Sequence, residues 1–479
     1  MFMRMIYDDH LAAASYLIGC QRTGEAIVID PERDVDRYID LAAREGLRIV
    51  AVNETHIHAD FLSGSRELAE RTGARVYVSD EGDADWKYGW LDQKSGGGAY
   101  DHRLLRDGDR FSIGNIDFRV LHTPGHTPEH IALLVTDRGG GATEPIGLAS
   151  GDFVFVGDLG RPDLLETAAG SAGAADPSAR RLFASVRKLA EIPEFVQVWP
   201  AHGAGSACGK ALGAVPMSTI GYERRFNPAI LAATSEARFV DYILAGQPEP
   251  PLYFARMKRD NKHGPRILGK LPSPRRLSTA DLKALDTKAV ALVDTRPWEA
   301  FRAGHLPGSL FHPVNSAFVT DVGSMVGENE EIVLIVAEGQ LETAIRDLVR
   351  IGLDRVAGWA APEQIDELRS LGVRLAETPE IDVAAARRRG DEFAVLDVRR
   401  AAEYAEGHIA GSLNIAHTRL AAQLDRVPRD RPLLVQCRSG GRSARACALL
   451  ERRGYHVTNL AGGMLAWEAA GAPVERGSR

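Results

Sequence analysis

Two histidines and an aspartate stand at alternate positions, His56, His58 and Asp60, directly after the apolar run Arg48–Asn53. Alternate side chains at a strand end can converge on one cation, and imidazole with carboxylate suits iron or zinc. Three more signals follow in order: Thr123-Pro124-Gly125-His126-Thr127, Ser150-Gly151-Asp152 and Trp199-Pro200-Ala201-His202-Gly203. Each sets a His or Asp beside Gly or Pro after an apolar stretch. A lone histidine is more often a satisfied core residue than a ligand, but four such signals form a metal-binding pattern. Asp158 also follows a glycine and competes with Asp152, whereas His122 reads as a buried strand residue. Cys208, in a glycine-rich segment six residues after His202, either lines a substrate channel or packs as a small buried side chain. Tyr222 and Arg225 either meet an anionic thiol carrier or lie on a solvated helix face.

A second chemistry resides near the C-terminus. The run Leu433–Gln436 ends at Cys437, followed by Arg438-Ser439-Gly440-Gly441-Arg442-Ser443 and a helical pattern, Ala444–Arg452. Successive loop N–H groups and the start of a helix favour a thiolate or an anionic sulfur adduct at Cys437. Arg438 and Arg442 add positive charge at the entrance. A structural cysteine has no need of such a loop, so Cys437 is expected to be a nucleophile. Cys447 and Cys20 read as core residues.

Positioning these groups requires strands that end at the chemistry. Ala26–Asp30, Arg48–Asn53, Arg75–Ser79, Ile116–Leu121, Ile131–Thr136 and Val196–Trp199 are expected strands, with helices over Val35–Glu45 and Gly64–Thr72. Gly139–Gly141 is expected to be a loop, and Ser218–Gly246 helical. Asn261–Ser278, rich in Pro, Gly and basic residues, reads as a linker. Beyond it the chain repeats itself. Asp294-Thr295-Arg296 with His305 in Gly-His-Leu-Pro-Gly-Ser matches Asp397-Val398-Arg399 with His408 in Gly-His-Ile-Ala-Gly-Ser, 103 residues on. Each copy has two buried-looking strands, Ala289–Asp294 with Ile332–Val336 and Phe393–Asp397 with Leu433–Gln436, which implies parallel α/β sheets. The first copy reads Val336-Ala337-Glu338-Gly339-Gln340 where the nucleophile should fall, so nucleophilic chemistry is unavailable there. The expected division is 1–260, a linker over 261–278, an inactive domain at 279–375 and an active one at 380–479.

The chain's 479 residues, 44% hydrophobic and 26% charged, exclude a disordered or fibrous polymer. With 58 basic and 65 acidic side chains, a net charge of -7 gives no reason to expect nucleic acid or an acidic membrane as partner. Four scattered cysteines do not make a disulfide framework. No apolar stretch is long enough to span a bilayer, and no secretory leader is evident, so a cytoplasmic protein is expected. A homo-oligomer is compatible with the sequence, which fixes no oligomeric state.

The order HxHxD, TPGHT, GD and PAHG resembles the metallo-β-lactamase superfamily over about the first 250 residues. Within it, THIHADFLSG and GDFVFVGDLGRPDL are similar to the persulfide dioxygenases. This resemblance implies an αββα sandwich and one iron(II) held by His56, His126 and Asp152, with O2 as cosubstrate and a low-molecular-weight thiol persulfide as substrate. It also implies structural roles for Asp158 and Arg161. Phe61 stands where dinuclear relatives carry a further histidine ligand, which favours one metal. His58, Asp60 and His202 are then orienting groups or a weak second-metal site. Cys-Arg-Ser-Gly-Gly-Arg-Ser, with Asp-Val-Arg and Gly-His-Ile-Ala-Gly-Ser, resembles a rhodanese domain over Ile381–Gly477 and implies a persulfide on Cys437 exchanging sulfur with sulfite or thiosulfate. The whole resembles persulfide dioxygenase–rhodanese fusions with an inactive middle module. Two rivals are a zinc thioester hydrolase of glyoxalase II type fused to a sulfurtransferase, and a non-catalytic sulfur relay.

Overall fold

The computed structural model describes residues 1–168 and 170–477; the last two positions of the expected active domain, 478 and 479, lie outside them. It divides into two units, Met1–Leu271 with Val349–Gly352, and Pro272–Leu348 with the chain from Leu353 onward.

In the first unit, β1 (Phe2–Asp8), β2 (Ala13–Cys20), β3 (Glu25–Ile29), β4 (Arg48–Asn53), β5 (Arg75–Ser79) and β6 (His102–Leu105) form one six-stranded sheet in chain order. The other six, β7 (Arg110–Ile113), β8 (Ile116–His122), β9 (Ile131–Asp137), β10 (Gly147–Gly151), β11 (Gln197–Pro200) and β12 (Ser218–Thr219), form the second, again in chain order. Both sheets are apolar on both faces. In β3, Ile27 and Ile29 join the core between the sheets, while Ala26 and Val28 join the core under the helices Asp36–Arg44 and Ser65–Thr72. In β9, Ile131, Leu133 and Val135 face inward, and Ala132 and Leu134 meet Leu182 and Phe239 of the helices Ala175–Arg187 and Glu236–Leu244. A strand with two apolar faces is stable only between two layers, and the result is the expected αββα stack.

Arg48–Asn53 and Arg75–Ser79 are strands with the bounds read from sequence. After β12, the segment read as helical from Ser218 holds three short helices, each opened by a side chain that accepts a backbone N–H: Thr219, Asn227 and Ser235. Gly139–Gly141 lies in the loop between β9 and β10, around a single tight turn. His122 ends β8 as expected but is only half-buried, because its ring turns to the Pro128 carbonyl at the loop edge (2.8 Å). The helix Phe254–His263 runs into the stretch read as linker.

The second unit contains two parallel five-stranded sheets. The first has the order β13-β17-β16-β14-β15, from β13 (Arg275–Arg276), β14 (Val290–Asp294), β15 (Leu310–Phe311), β16 (Glu331–Ile335) and β17 (Val356–Ala360). The second has β18-β22-β21-β19-β20, from β18 (Glu380–Ile381), β19 (Ala394–Asp397), β20 (Leu413–Asn414), β21 (Leu433–Gln436) and β22 (Val457–Leu460). The two orders are identical, so the repeat seen in sequence is a repeat of topology. Its Asp-x-Arg motif is a buried clasp: Arg296 and Arg399 each pair with the Asp two residues before them and donate to the carbonyls of Gly304 and Gly407.

Candidate active sites

Strand ends converge on the metal candidates. β4 delivers His56, the β8–β9 connection delivers His126, and β10 delivers Asp152; ligand atoms of the three lie within 4.8 Å of one another, all buried. Their orientation is fixed from behind. The Thr55 hydroxyl donates to Asp30 Oδ2 (2.8 Å), so the 3.0 Å contact between Thr55 Oγ1 and His56 Nδ1 is donation by the ring. That leaves the His56 Nε2 lone pair for a cation. His126 Nδ1 donates to the Arg161 carbonyl (3.1 Å) and His202 Nδ1 to the Ala12 carbonyl (3.0 Å), freeing their Nε2 atoms in the same way. His126 Nε2 is 3.3 Å and His56 Nε2 4.0 Å from Asp152 Oδ2. Both Asp152 oxygens are buried without hydrogen-bond partners. Two buried lone-pair donors and a buried unsatisfied carboxylate are costly alone, and a cation satisfies all three. The residues fit a metal.

The backbone around this site is strained. Asp30 and Ala12, which support His56 and His202, have φ of 49° and are the two non-glycine residues with positive φ among the described residues. Gly151 has φ of 52°, and a Cβ there would lie 2.5 Å from Thr55 Oγ1 and 2.6 Å from His130 Nε2. A Cβ on Gly160 would strike the Asp152 carbonyl at 1.8 Å. Both glycines are therefore required by close approach.

The orienting candidates fall into two clusters. Asp60 and His202 (3.3 Å apart) gather with Cys208, and His202 Nε2 is also 3.4 Å from Asp152 Oδ1, so the Asp152 carboxylate faces both groups. Burial, reinforced by Asp60 and Asp152, pushes the Cys208 thiol well above its ordinary pKa. His58 turns Nε2 to Glu54 (3.0 Å) and Asp30 (3.3 Å), while Phe61 stacks on its ring at 4.4 Å. Burial opposes charge on His58, but the two carboxylates outweigh it and raise its pKa well above the ordinary value. For His56, burial and neighbouring histidines push the pKa well down.

Asp158 does not join the cluster. Its carboxylate accepts the N–H groups of Leu159, Lys210 and Ala211 and ties two loops together. Arg161 pairs with Asp163 and donates to the Ala207 carbonyl beside Cys208. Tyr222 lies against Phe226 at the surface, the rings tilted by 48°, and Arg225 pairs with Glu194 (2.6 Å); the structure does not bring either among the cluster residues. Sequence reading missed His130, whose Nε2 accepts the Asp152 N–H (3.0 Å), and Glu129, which accepts the Ile57 N–H (2.7 Å). It also missed Asn261. That amide donates to the carbonyls of His58 (2.8 Å) and Phe61 (2.7 Å) and accepts the Ser63 N–H (2.8 Å), clasping the HxHxD loop. Burial raises the Glu129 carboxyl to about 7.

In the second unit, Cys437 follows β21 directly and is 1% exposed. Its Sγ accepts the Gly440 N–H at 3.2 Å and lies 3.5 Å from the Ser443 hydroxyl. The helix Gly441–Arg452 begins beside it, with Gly440 at φ of 101°. Arg438 is exposed. Arg442 forms a two-toothed pair with Glu403, 2.7 Å on each side, so its charge at the entrance is matched. In the middle module, β14 and β16 pair in the register that β19 and β21 use, which places Val336 where Cys437 stands. The helix there opens at Glu338, two residues after Val336, against four after Cys437. Both nucleophile and cradle are missing. Cys20 ends β2 and Cys447 sits within the helix; all four cysteines are free and buried. Among the described residues, no helix is long and apolar enough to cross a membrane.

Comparison with known proteins places the two candidate centres in separate families. The profile of the Metallo-beta-lactamase superfamily matches residues 9–202, and that of the Rhodanese-like domain matches 381–470. A solved metallo-beta-lactamase structure from Staphylococcus aureus subsp. aureus COL is 41% identical, covering 75% of this chain and 99% of that one, with a TM-score of 0.67. A sulfurtransferase of Allochromatium vinosum is 36% identical over 22% of this chain and 88% of its own length. The mitochondrial persulfide dioxygenase ETHE1 of Bos taurus is 24% identical over 49% of this chain and 78% of its own. The chain spans about half the length of the first curated relatives it matches, 53% of each. With its αββα layers, its histidine–aspartate cluster and its cysteine loop, the chain belongs to the metallo-β-lactamase superfamily, as a fusion of that domain with rhodanese-like domains.

Proposed function

We propose that the first domain oxidises a low-molecular-weight thiol persulfide with O2, giving sulfite and the free thiol, and that Cys437 moves sulfane sulfur to or from thiosulfate. The observation that carries this reading is the buried set His56, His126 and Asp152, with two free imidazole lone pairs and an unsatisfied carboxylate. Iron(II) held by these three would supply vacant positions at which O2 and the persulfide sulfur react. The chain's own part is orientation. Thr55 and the Arg161 carbonyl fix the ring tautomers, Glu129 and Asn261 fix the loop between His56 and Ser63, and burial excludes bulk water. A cavity of about 400 Å³, bounded by Met5, Tyr7, His202, Ala204 and Val215, lies beside the cluster and offers room for the thiol carrier. The balance is RSSH + O2 + H2O to RSH + sulfite + two protons.

At the second centre, the Cys437 thiolate attacks the outer sulfur of a persulfide, expelling the carrier thiolate and forming a Cys437 persulfide. Sulfite then attacks that outer sulfur, leaves as thiosulfate and returns the Cys437 thiolate. The Gly440 N–H supports the anionic sulfur in both directions. Glutathione and coenzyme A persulfides are the carriers to compare. A second reading, a dinuclear zinc thioesterase, is favoured by one observation: His202, which gathers with Asp60 and Cys208, lies 3.4 Å from the second Asp152 oxygen. Metal content and an oxygen electrode distinguish the two. One iron per chain with persulfide-dependent O2 uptake supports the dioxygenase. Two zincs with thioester cleavage and no O2 uptake support the hydrolase. Sulfite production is the check on a pure sulfur relay, which makes none with or without air.

A further inference from the structure

The middle module has no nucleophile, yet it contacts two elements that adjoin its neighbour's active loop. The helix Gly441–Arg452, whose first turn helps form the Cys437 cradle, packs Ala444 and Ala448 into one apolar cluster with Phe301 and Phe311 of the middle module. One residue along, the Arg445 guanidinium pairs with Asp321 of the middle-module helix Phe318–Met325, and its Nη1 donates back to the Gly441 carbonyl at 2.9 Å. Asp321 is 1% exposed, and its other oxygen receives His417 Nε2 at 2.9 Å. Trp298 packs against the same cluster, and its Nε1 donates to Glu380 Oε2 (2.8 Å), which also receives the Asn459 amide (2.8 Å). Asn459 precedes the turn at Gly462-Gly463, where Met464 N–H binds the Cys437 carbonyl (2.8 Å) and Leu465 N–H the Arg438 carbonyl (3.0 Å). A Cβ on Gly463 would lie 2.2 Å from the Cys437 carbonyl, so this wall is in direct contact with the nucleophile's backbone.

We propose that the middle module is a positioning part of the sulfurtransferase centre, with Asp321 fixing the first turn of the helix and Trp298, through Glu380 and Asn459, fixing the turn at Gly462-Gly463. This rests on the reading of Cys437 as the sulfur carrier. The physical reason is directional. Backbone N–H groups stabilise a sulfur anion only when aimed at it, and a hydrogen bond weakens steeply as it bends. The catalytic module holds one end of each contact, so its loop geometry depends on residues more than 100 positions upstream.

The test uses the full chain. Trp298→Phe keeps the aromatic packing and removes one donor. The double variant Asp321→Asn/Arg445→Gln removes both buried charges, so that neither is left unpaired. Two readouts are taken: thiosulfate-to-cyanide transfer, and the rate of iodoacetamide labelling at Cys437 followed by peptide mass spectrometry. The expected result is a fall of about tenfold in kcat with KM for thiosulfate little changed, a matching fall in labelling rate, and melting temperatures close to wild type. Unchanged kcat and labelling in both variants would overturn the proposal. A fall that tracks lost melting temperature in every variant would also overturn it, because it would show a stability role alone. If wild-type protein shows no transfer while labelling at Cys437 still slows in both variants, positioning stands and the sulfurtransferase reading fails.

Discussion

At the scale of single residues, the two chemistries depend on different side chains. Asp152→Ala is expected to remove most bound iron and persulfide-dependent O2 uptake while leaving thiosulfate transfer within about twofold of wild type. Cys437→Ser is expected to do the reverse, lowering transfer by roughly two orders of magnitude or more with O2 uptake intact. Metal analysis, an oxygen electrode and a transfer assay on both variants check this, and loss of both activities in either one would contradict independent centres. The sequence made His56, His126, Asp152 and Cys437 candidates because each follows an apolar run, His126 and Asp152 directly after a glycine, His56 in an alternating His-x-His-x-Asp pattern and Cys437 before a Gly-Gly loop. It did not reveal Asp30, Glu54, His130 or the approach of Cys208 to Asp60 and His202. These meet only after two sheets and several loops have packed, and no local spacing records that.

At the scale of elements, the helix Phe254–His263 shows why a composition-based linker reading stops short. Asn261–His263 are polar and basic, as linkers are, but Asn261 is 2% exposed because its amide is spent on the backbone of the metal loop. Asn261→Ala would leave two carbonyls and one N–H without these partners, costing about 2–4 kcal/mol of stability in a denaturant melt and weakening iron retention during dialysis against a chelator. Unchanged stability would show that the loop is held by other means. The helix Gly441–Arg452 carries the pH prediction. Burial pushes the Glu451 carboxyl up to about 7, although the Thr378 hydroxyl donates to it. The native state therefore holds this proton more tightly than the unfolded chain. Its contribution is full below about pH 4.5 and is lost as pH rises through about 7, a swing of about 3 kcal/mol. Glu451→Gln should raise the melting temperature at pH 8 more than at pH 5, and an equal effect at both would refute the assignment.

At the scale of the whole molecule, the sequence disclosed the repeat more clearly than the first domain's layers. Asp-x-Arg and Gly-His motifs recur at fixed offset because each sets a buried clasp, and the sheets that carry them share one strand order. β1, β2 and β10 were less legible, since runs such as Gly147–Gly151 are small-residue strands whose burial comes from neighbours rather than from their own pattern. The shortened turn after β16 makes the loss in the middle copy more than a point substitution. Val336→Cys, made in a chain that already carries Cys437→Ser, should restore no transfer and label slowly with iodoacetamide; recovered transfer would refute this. A reversion would need a thiol codon together with an insertion that rebuilds the missing ring of amides, two events that are each worthless alone. The silent copy is in this sense ratcheted, held to its contacts as a supporting part but closed to an easy return to chemistry.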